Sequence, residues 1–472
     1  MSDISSSDGF LSAGLFDRLR ACSVSAGQKN SSSGLKSAPN DSLTDLDQEQ
    51  PVLMPADRLE TLREAAQLAM EVEFATIPVY LAGLYSIQTP DNSAYQALRS
   101  VVIEEMLHFN QAANLLVALG GTPKLTGKYA PAYPSYLPKA NPATTPFIGL
   151  YRASKEVFAN VYAAIETPAA AFAPAQGDCY DTIAQLYAAL LDGIDAYERD
   201  YGNPFGHEAE GMRQRTDIYI GKFGGKVIKV VDTKTAHEAV KQIIQQGEGA
   251  VPSAASFDPI QEYGTYQNYG QRTDGTYGPI MGTPYELSHF SKFRHVALDT
   301  APFPPTFPII SNPSVEQFTH KEAIRLAHLF NKAYSNLLEN LENSFKILSE
   351  QQPDPFFGPA LNLMHRVLPG LARALMNTPI YQEGDAGVGP NAAPSWTCLQ
   401  DTPKLLKAGQ AGLVGDERPQ EEGSLADQTK SAIKMIRQTE KKTHEAVGEG
   451  ARRNHVAAIL QQVLDSLTED RG

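Results

Sequence analysis

The sequence predicts an all-α protein, a four-helix bundle with long crossover loops and additional C-terminal helices. Three observations predict it. In residues 94–119, AYQALRSVVIEEMLHFNQAANLLVAL, the apolar positions Leu98, Val101, Val102, Ala112, Leu115, Leu116 and Leu119 recur at three- and four-residue steps and so share one helix face. A second such stretch, residues 56–86, precedes it across a short TPDN turn, which makes the two an antiparallel hairpin. Finally, Glu105 and His108 fall on the apolar face of 94–119, and Glu73 takes the slot between Ala69 and Ile77 on the face of 56–86. Burying an ionised carboxylate is costly unless something pairs with it, and a bivalent metal is the strongest partner available.

Composition narrows the class. A chain of 472 residues with 42% hydrophobic residues can bury a large core and carry appendages. A formal charge of −14 and a pI near 5.2 argue against nucleic acid and anionic membrane surfaces as partners. The three cysteines (Cys22, Cys179, Cys398) lie far apart and offer neither a disulfide framework nor a zinc motif, which fits a reducing compartment. No apolar run approaches the ~20 residues of a membrane span. MSDISSSDGF lacks a basic, then apolar, secretory pattern, so the expected location is the cytoplasm.

The elements follow in order. Residues 1–50, rich in Ser, Asp, Asn and Gly, read as a disordered tail. A bundle is expected over 51–300, beginning with the 56–86 helix, which Pro78 should kink. Gly120-Gly121 ends the 94–119 helix. Beyond a Pro- and Tyr-rich loop come helical stretches at about 147–166 and 181–197, a short strand or extended entry at 226–232, and a helix at 235–246. Residues 250–284 form a Gly-, Tyr- and Pro-rich loop of the kind that covers functional sites. A short helix over 284–298 puts Glu286, His289, Phe293 and Val296 in line. Residues 301–400 read as a helical extension packed on the bundle, with helices at about 315–349 and 359–377. Residues 401–472 read as a charged helical appendage.

Of the ten histidines, two sit three residues after a glutamate: His108 after Glu105, and His289 after Glu286. With Glu73 and a further glutamate on a third helix, the set becomes Glu, Glu-x-x-His, Glu, Glu-x-x-His, the ligand pattern of carboxylate-bridged two-metal bundles. Glu248 and Glu166 compete for that third-helix role. Glu248 follows the apolar face of 235–246, with loop capping as its ordinary alternative. Glu166 closes the run Phe158, Val161, Tyr162, Ile165, where a helix-end glutamate bonded to nearby backbone is the ordinary reading. Mixed carboxylate and imidazole donors suit iron, with manganese as the alternative. A haem held by one axial histidine leaves no spacing signal and stays open at this stage.

Several segments together carry a resemblance: EVEFATIPVYLAGLYSI (71–87), EEMLHFNQAANLLVALGGTP (104–123), AIETP (164–168), TIAQLYAAL (182–190), IIQQGEGA (243–250) and ELSHFSKF (286–293). In that order they resemble the ferritin-like domain family named for iminophenylpyruvate dimer synthase, over roughly residues 52–400. FNKAYSNLLENL (330–341) and APSW (393–396) continue the likeness. The resemblance implies a ferritin-like bundle with a metal site. It makes Glu73, Glu105, His108, Glu248 and His289 candidate ligands, with Glu286 and Glu166 in addition. It also implies an oxidative coupling of amino-acid-derived imines, in synthases that are much longer than this chain.

The expectation is therefore an iron-dependent oxidoreductase acting on a small, amino-acid-derived or aromatic metabolite. No catalytic residue is singled out beyond the ligands, and self-association is left open. Two rivals are a non-catalytic ferritin-like metal-binding protein and a metal-free helical scaffold. The scaffold needs six buried polar groups to satisfy one another, which is the least economical account.

Overall fold

Two long helices open the structure. In this computed structural model the described residues are 55–206, 209, 211–218, 225–249, 266–267, 271–272, 287–346, 354–399, 424–434, 437 and 456–469. Helix α1 (Pro55–Ser86) and helix α2 (Ser93–Ala118) pack along their lengths as the expected hairpin. Asn92 caps α2, its side chain accepting from the Tyr95 amide at 2.8 Å. At the other end Gly120 takes φ 83°, and the Gly121 amide returns to the Leu116 carbonyl. Pro78 lies inside α1 and removes the amide that would bond the Phe74 carbonyl. By length and composition α1 could cross a membrane, but 83% of its apolar window is buried inside the protein.

The remaining bundle elements are shorter. Residues 155–165 form α3, whose middle, Phe158–Tyr162, is a π-helical turn. Its contact with α1 is closest at Gly83, where a Cβ would stand 2.1 Å from the Tyr162 hydroxyl. Helix α4 (Ile183–Tyr201) lies against α1, and helix α5 (Thr233–Gln246) against both α4 and α2. An Asp232/Thr235 capping box starts α5. Helix α6 (His289–Leu298) crosses α2 and α3, capped by Ser288. It begins later than the pattern suggested. The loop expected to cover the site lies mostly outside the described residues, which there show only a two-residue antiparallel pair, Tyr266–Gln267 with Gln271–Arg272.

The strand-like run 226–230 is extended but pairs with no strand among the described residues. Three glutamine side chains take the strand's place. Each bonds both the amide and the carbonyl of one alternate residue: Gln242 at Lys226, Gln111 at Ile228 and Gln214 at Val230, all at 2.7–3.0 Å. A carboxamide carries one acceptor and one donor on the same side, so it imitates a neighbouring peptide group.

A second layer follows. Helix α7 (Lys321–Ser344) packs against α8 (residues 357–376, with a π-turn at Leu363–Val367), and α8 touches α1. Trp396 holds φ 52°, unusual for a bulky residue. It stacks on Tyr85 of α1 and meets Phe330 and Tyr334 of α7 edge-on. Helix α9 (Val456–Glu469) lies in the segment read as a charged appendage, and its Val456, Leu460 and Val463 are buried and join the same core. It approaches α8 where Gly370 leaves room, since a Cβ there would lie 2.4 Å from Val463. One expectation is corrected. Cys179 is disulfide-bonded, and Cys398 is free.

Candidate metal centre

Five acidic and imidazole side chains from four helices meet in the bundle core. Glu73 comes from α1, Glu105 and His108 from α2, Glu166 from the C-cap of α3, and His289 from the first position of α6. All five are buried. Spacing alone turns the α1 and α2 members inward: Glu73, Thr76 and Tyr80 stand at i, i+3 and i+7, and Glu105 and His108 at i, i+3.

The group divides into two halves that share Glu105. In one, His108 Nδ1 lies 3.7 Å from Glu73 Oε2 and 3.6 Å from Glu105 Oε1. In the other, His289 Nδ1 lies 2.8 Å from the same Glu105 oxygen and 3.6 Å from Glu166 Oε1. The rings of His108 and His289 stack at 5.3 Å. Each terminal carboxylate is held by a phenol. Tyr187 donates to Glu73 at 2.8 Å and Tyr80 to Glu166 at 2.5 Å. The Thr76 hydroxyl lies 2.7 Å from Glu105 Oε2.

Both histidines present the same face. His108 Nε2 meets Gln246 Oε1 at 2.9 Å, and His289 Nε2 meets Glu104 Oε2 at 2.9 Å. Those oxygens accept, so each Nε2 carries the proton and each Nδ1 turns toward the carboxylates. Two electron-rich atoms facing each other in a buried site need a cation or a proton between them. A proton fits poorly at His289. Its Nδ1 makes no hydrogen bond despite the 2.8 Å approach, because the ring direction misses the oxygen. A metal ion fits. Donors on one ion with bonds of about 2.0–2.2 Å stand roughly 3–3.7 Å apart at ordinary angles, and three of the four half-site separations fall in that range, the fourth, His289 to Glu105, just below it. Atoms of Glu105, His108 and His289 all lie within 4.8 Å of one another, as one ion or an adjacent pair requires.

Proton affinities show what the group does without a metal. Burial raises the Glu73 pKa, His108 offsets this in part, Glu105 adds to it, and the result is about 7. Burial alone would depress His108, but hydrogen bonding to Glu105 and Glu73 outweighs it and pushes the imidazole up to about 10. His289 is likewise raised, against its burial, chiefly by Glu166, Glu104 and Glu105. For Glu105 burial raises the pKa, but the two imidazoles prevail and hold it well below the usual carboxylate range. Without metal, then, the carboxylates raise the proton affinity of both imidazoles.

The sequence-predicted residues fall out unevenly. Glu73, Glu105, His108 and His289 come together, and Glu166 joins them. Glu248 stands apart from the two halves, because both its oxygens accept backbone amides, Ala169 at 3.0 Å and Ala184 at 2.7 Å. Ala184 lies in the first turn of α4, so Glu248 caps that helix. Burial pushes its pKa to about 7 against those two bonds, with Glu166 adding to the rise. Glu286 lies outside the described residues. Glu104, Gln246, Tyr80 and Tyr187 were not singled out by sequence as members of the site. The signal that could have found Tyr80 is its place on the Glu73 face.

Comparison with known proteins bears on the bundle that carries these residues. The ferritin-like family profile matches residues 66–298, from within α1 to the end of α6. That span is a ferritin-like domain. The chain is similar to a 2-imino-3-(indol-3-yl)propanoate dimerase of Chromobacterium violaceum, with 26% identity over 320 residues, covering 64% of this chain and 28% of the relative. The domain is thus related to the ferritin-like dimer synthases, as the resemblance implied, while the chain spans little more than a quarter of that relative's length. Among solved structures, a ferritin-like protein from Caulobacter vibrioides shows 22% identity and a TM-score of 0.47, covering 68% of this chain and 96% of that one.

Proposed function

We propose that the protein is an iron-dependent oxidoreductase of the carboxylate-bridged two-metal kind, acting on a small amino-acid-derived or aromatic metabolite. One observation supports it above the rest: Glu105 stands between two equivalent donor sets, each a terminal glutamate and a histidine Nδ1. Glu73, His108 and Glu105 would hold one ion, and Glu105, His289 and Glu166 the other. Manganese suits the same donors. A redox-active pair, if held there, would supply electron exchange with O2 or peroxide.

The chain's own residues do the rest. Tyr187 and Tyr80 fix the orientation of the terminal carboxylates, and Tyr80 keeps a proton at its phenol oxygen, 2.5 Å from Glu166. Burial, then Glu166 and Glu105, hold the Tyr80 pKa far above its usual value, so this proton stays at neutral pH. Tyr162 and Phe293 pack against the Tyr80 ring, with Phe158 packed on both of them, and exclude water on that side. The relative's substrate is an indole-bearing imine by name, and this motivates the substrate class. A metal-free scaffold accounts less well for His289 Nδ1, which lies 2.8 Å from a Glu105 oxygen without a hydrogen bond.

The test is metal analysis of protein purified without chelators, then anaerobic Fe(II) loading and exposure to O2 under optical spectroscopy. About two irons per chain with an oxygen-dependent absorbance would support the reading. Folded protein that takes up no metal would sink it.

A further inference from the structure

The two halves match in donors but not in what stands behind their histidines. His108 Nε2 is backed by Gln246 Oε1, a neutral amide on the last residue of α5. His289 Nε2 is backed by Glu104 Oε2, a fully buried carboxylate, and the Lys292 ammonium donates to the same oxygen at 2.6 Å. Glu104 directly precedes the shared ligand Glu105, and Lys292 lies one turn after His289. This outer pair therefore joins α2 to α6 behind the imidazole.

From this difference we infer that the centre is built unequal: Glu104, locked by Lys292, makes the His289 half the tighter metal site, and Gln246 leaves the His108 half the weaker. The inference rests on the two-metal reading and adds an order of filling to it. A carboxylate accepting the Nε2 proton polarises the ring and makes Nδ1 a stronger donor than an amide does. It also holds the ring angle more firmly, since a charge-assisted hydrogen bond is roughly twice as strong as a neutral one. Everything else nearly cancels. Each half has one terminal glutamate, one phenol on that glutamate and a share of Glu105. Glu104 and Gln246 are thus positioning residues that act through the ligands.

The experiment titrates metal-free full-length protein with Co(II), following the visible absorption bands and the heat of binding. Two ions per chain are expected, with affinities separated by roughly tenfold or more, the scale on which outer partners act. Glu104→Gln should weaken the tight step by about tenfold and leave the weak step in place, closing the gap. Gln246→Glu should tighten the weak step, a gain that a merely structural role would not produce. The Gln246→Glu result also stands if Glu104→Gln fails to fold. Two equal steps in the wild type would overturn the inference and keep the two-metal reading. So would a Glu104→Gln effect on the weak step alone. No Co(II) uptake by folded protein would overturn both.

Discussion

The bundle of α1–α6 and the layer formed by α7–α9 are made of similar amphipathic helices, yet they fill their centres in opposite ways. The layer buries Trp396 among Phe330, Tyr334 and Tyr85, ring against ring. The bundle buries Glu73, Glu105, Glu166, His108 and His289. Aromatic packing stabilises by contact alone and is indifferent to pH and solutes. Buried charge stabilises only when a counter-charge is supplied, by protons or by a metal. One region is complete as folded, and the other is finished by what it binds.

The largest expected effect falls on the shared ligand. Glu105→Ala removes a donor from both halves, so metal content should drop from about two ions per chain to none, while circular dichroism still shows the outer helices. Full metal content in that variant would mean the site is elsewhere. The matching change in the layer is Trp396→Ala, which should cost about 3–5 kcal/mol in urea unfolding and leave metal stoichiometry untouched. Lost metal in that variant would show that the two regions are not independent.

Next in size is the metal's own contribution. Saturation at a hundredfold excess over Kd should stabilise by roughly 2.7 kcal/mol, equally in wild type and in Trp396→Ala, as read by thermal unfolding. An unequal increment would break the separation between packing and binding.

The last comparison is the pH profile of the metal-free protein. His108, raised to about 10, contributes stability that is fully present below its unfolded value of 6.5 and is lost as pH rises through about 10. Glu73, raised to about 7, adds a cost that is absent below 4.5 and complete above about 7. Glu105 acts oppositely, its stabilisation disappearing as pH falls below the ordinary carboxylate range. Metal-free protein should therefore lose stability from about pH 7 to 10. Metal-loaded protein should instead hold its stability there, because the metal takes neutral imidazole. Parallel curves would show that protons and metal do not compete at this centre.

How much of this the sequence disclosed follows the same division. Glu73, Glu105 and His108 were legible because helical periodicity assigns inward slots, and a charge in such a slot stands out. His289 was legible through its Glu-x-x-His spacing, although α6 starts only at His289 itself. Glu166 and Glu248 were harder to rank, since each follows the end of a helix and periodicity stops there. The backbone treats them differently. The π-turn at Phe158–Tyr162 ends in a helix that delivers Glu166 to His289, whereas two amides occupy Glu248. Gln246 and Glu104 could not be read, because their partners are 138 and 185 residues away. The core of α9 was overlooked because the surrounding charge hid its apolar stripe.

The glutamine-clasped segment at 226–230 has a bearing on how the protein behaves in a crowded solution. KVIKVV is a β-prone run, and an extended stretch of that kind invites a second copy to pair with it and seed a fibril. Here one edge is already occupied, and by groups that end at the carboxamide and cannot propagate a sheet. Exposed Lys229 lies among the residues of the other edge, where a charge discourages stacking. The three glutamines thus keep an aggregation-prone sequence in strand form while denying it a strand's capacity to recruit.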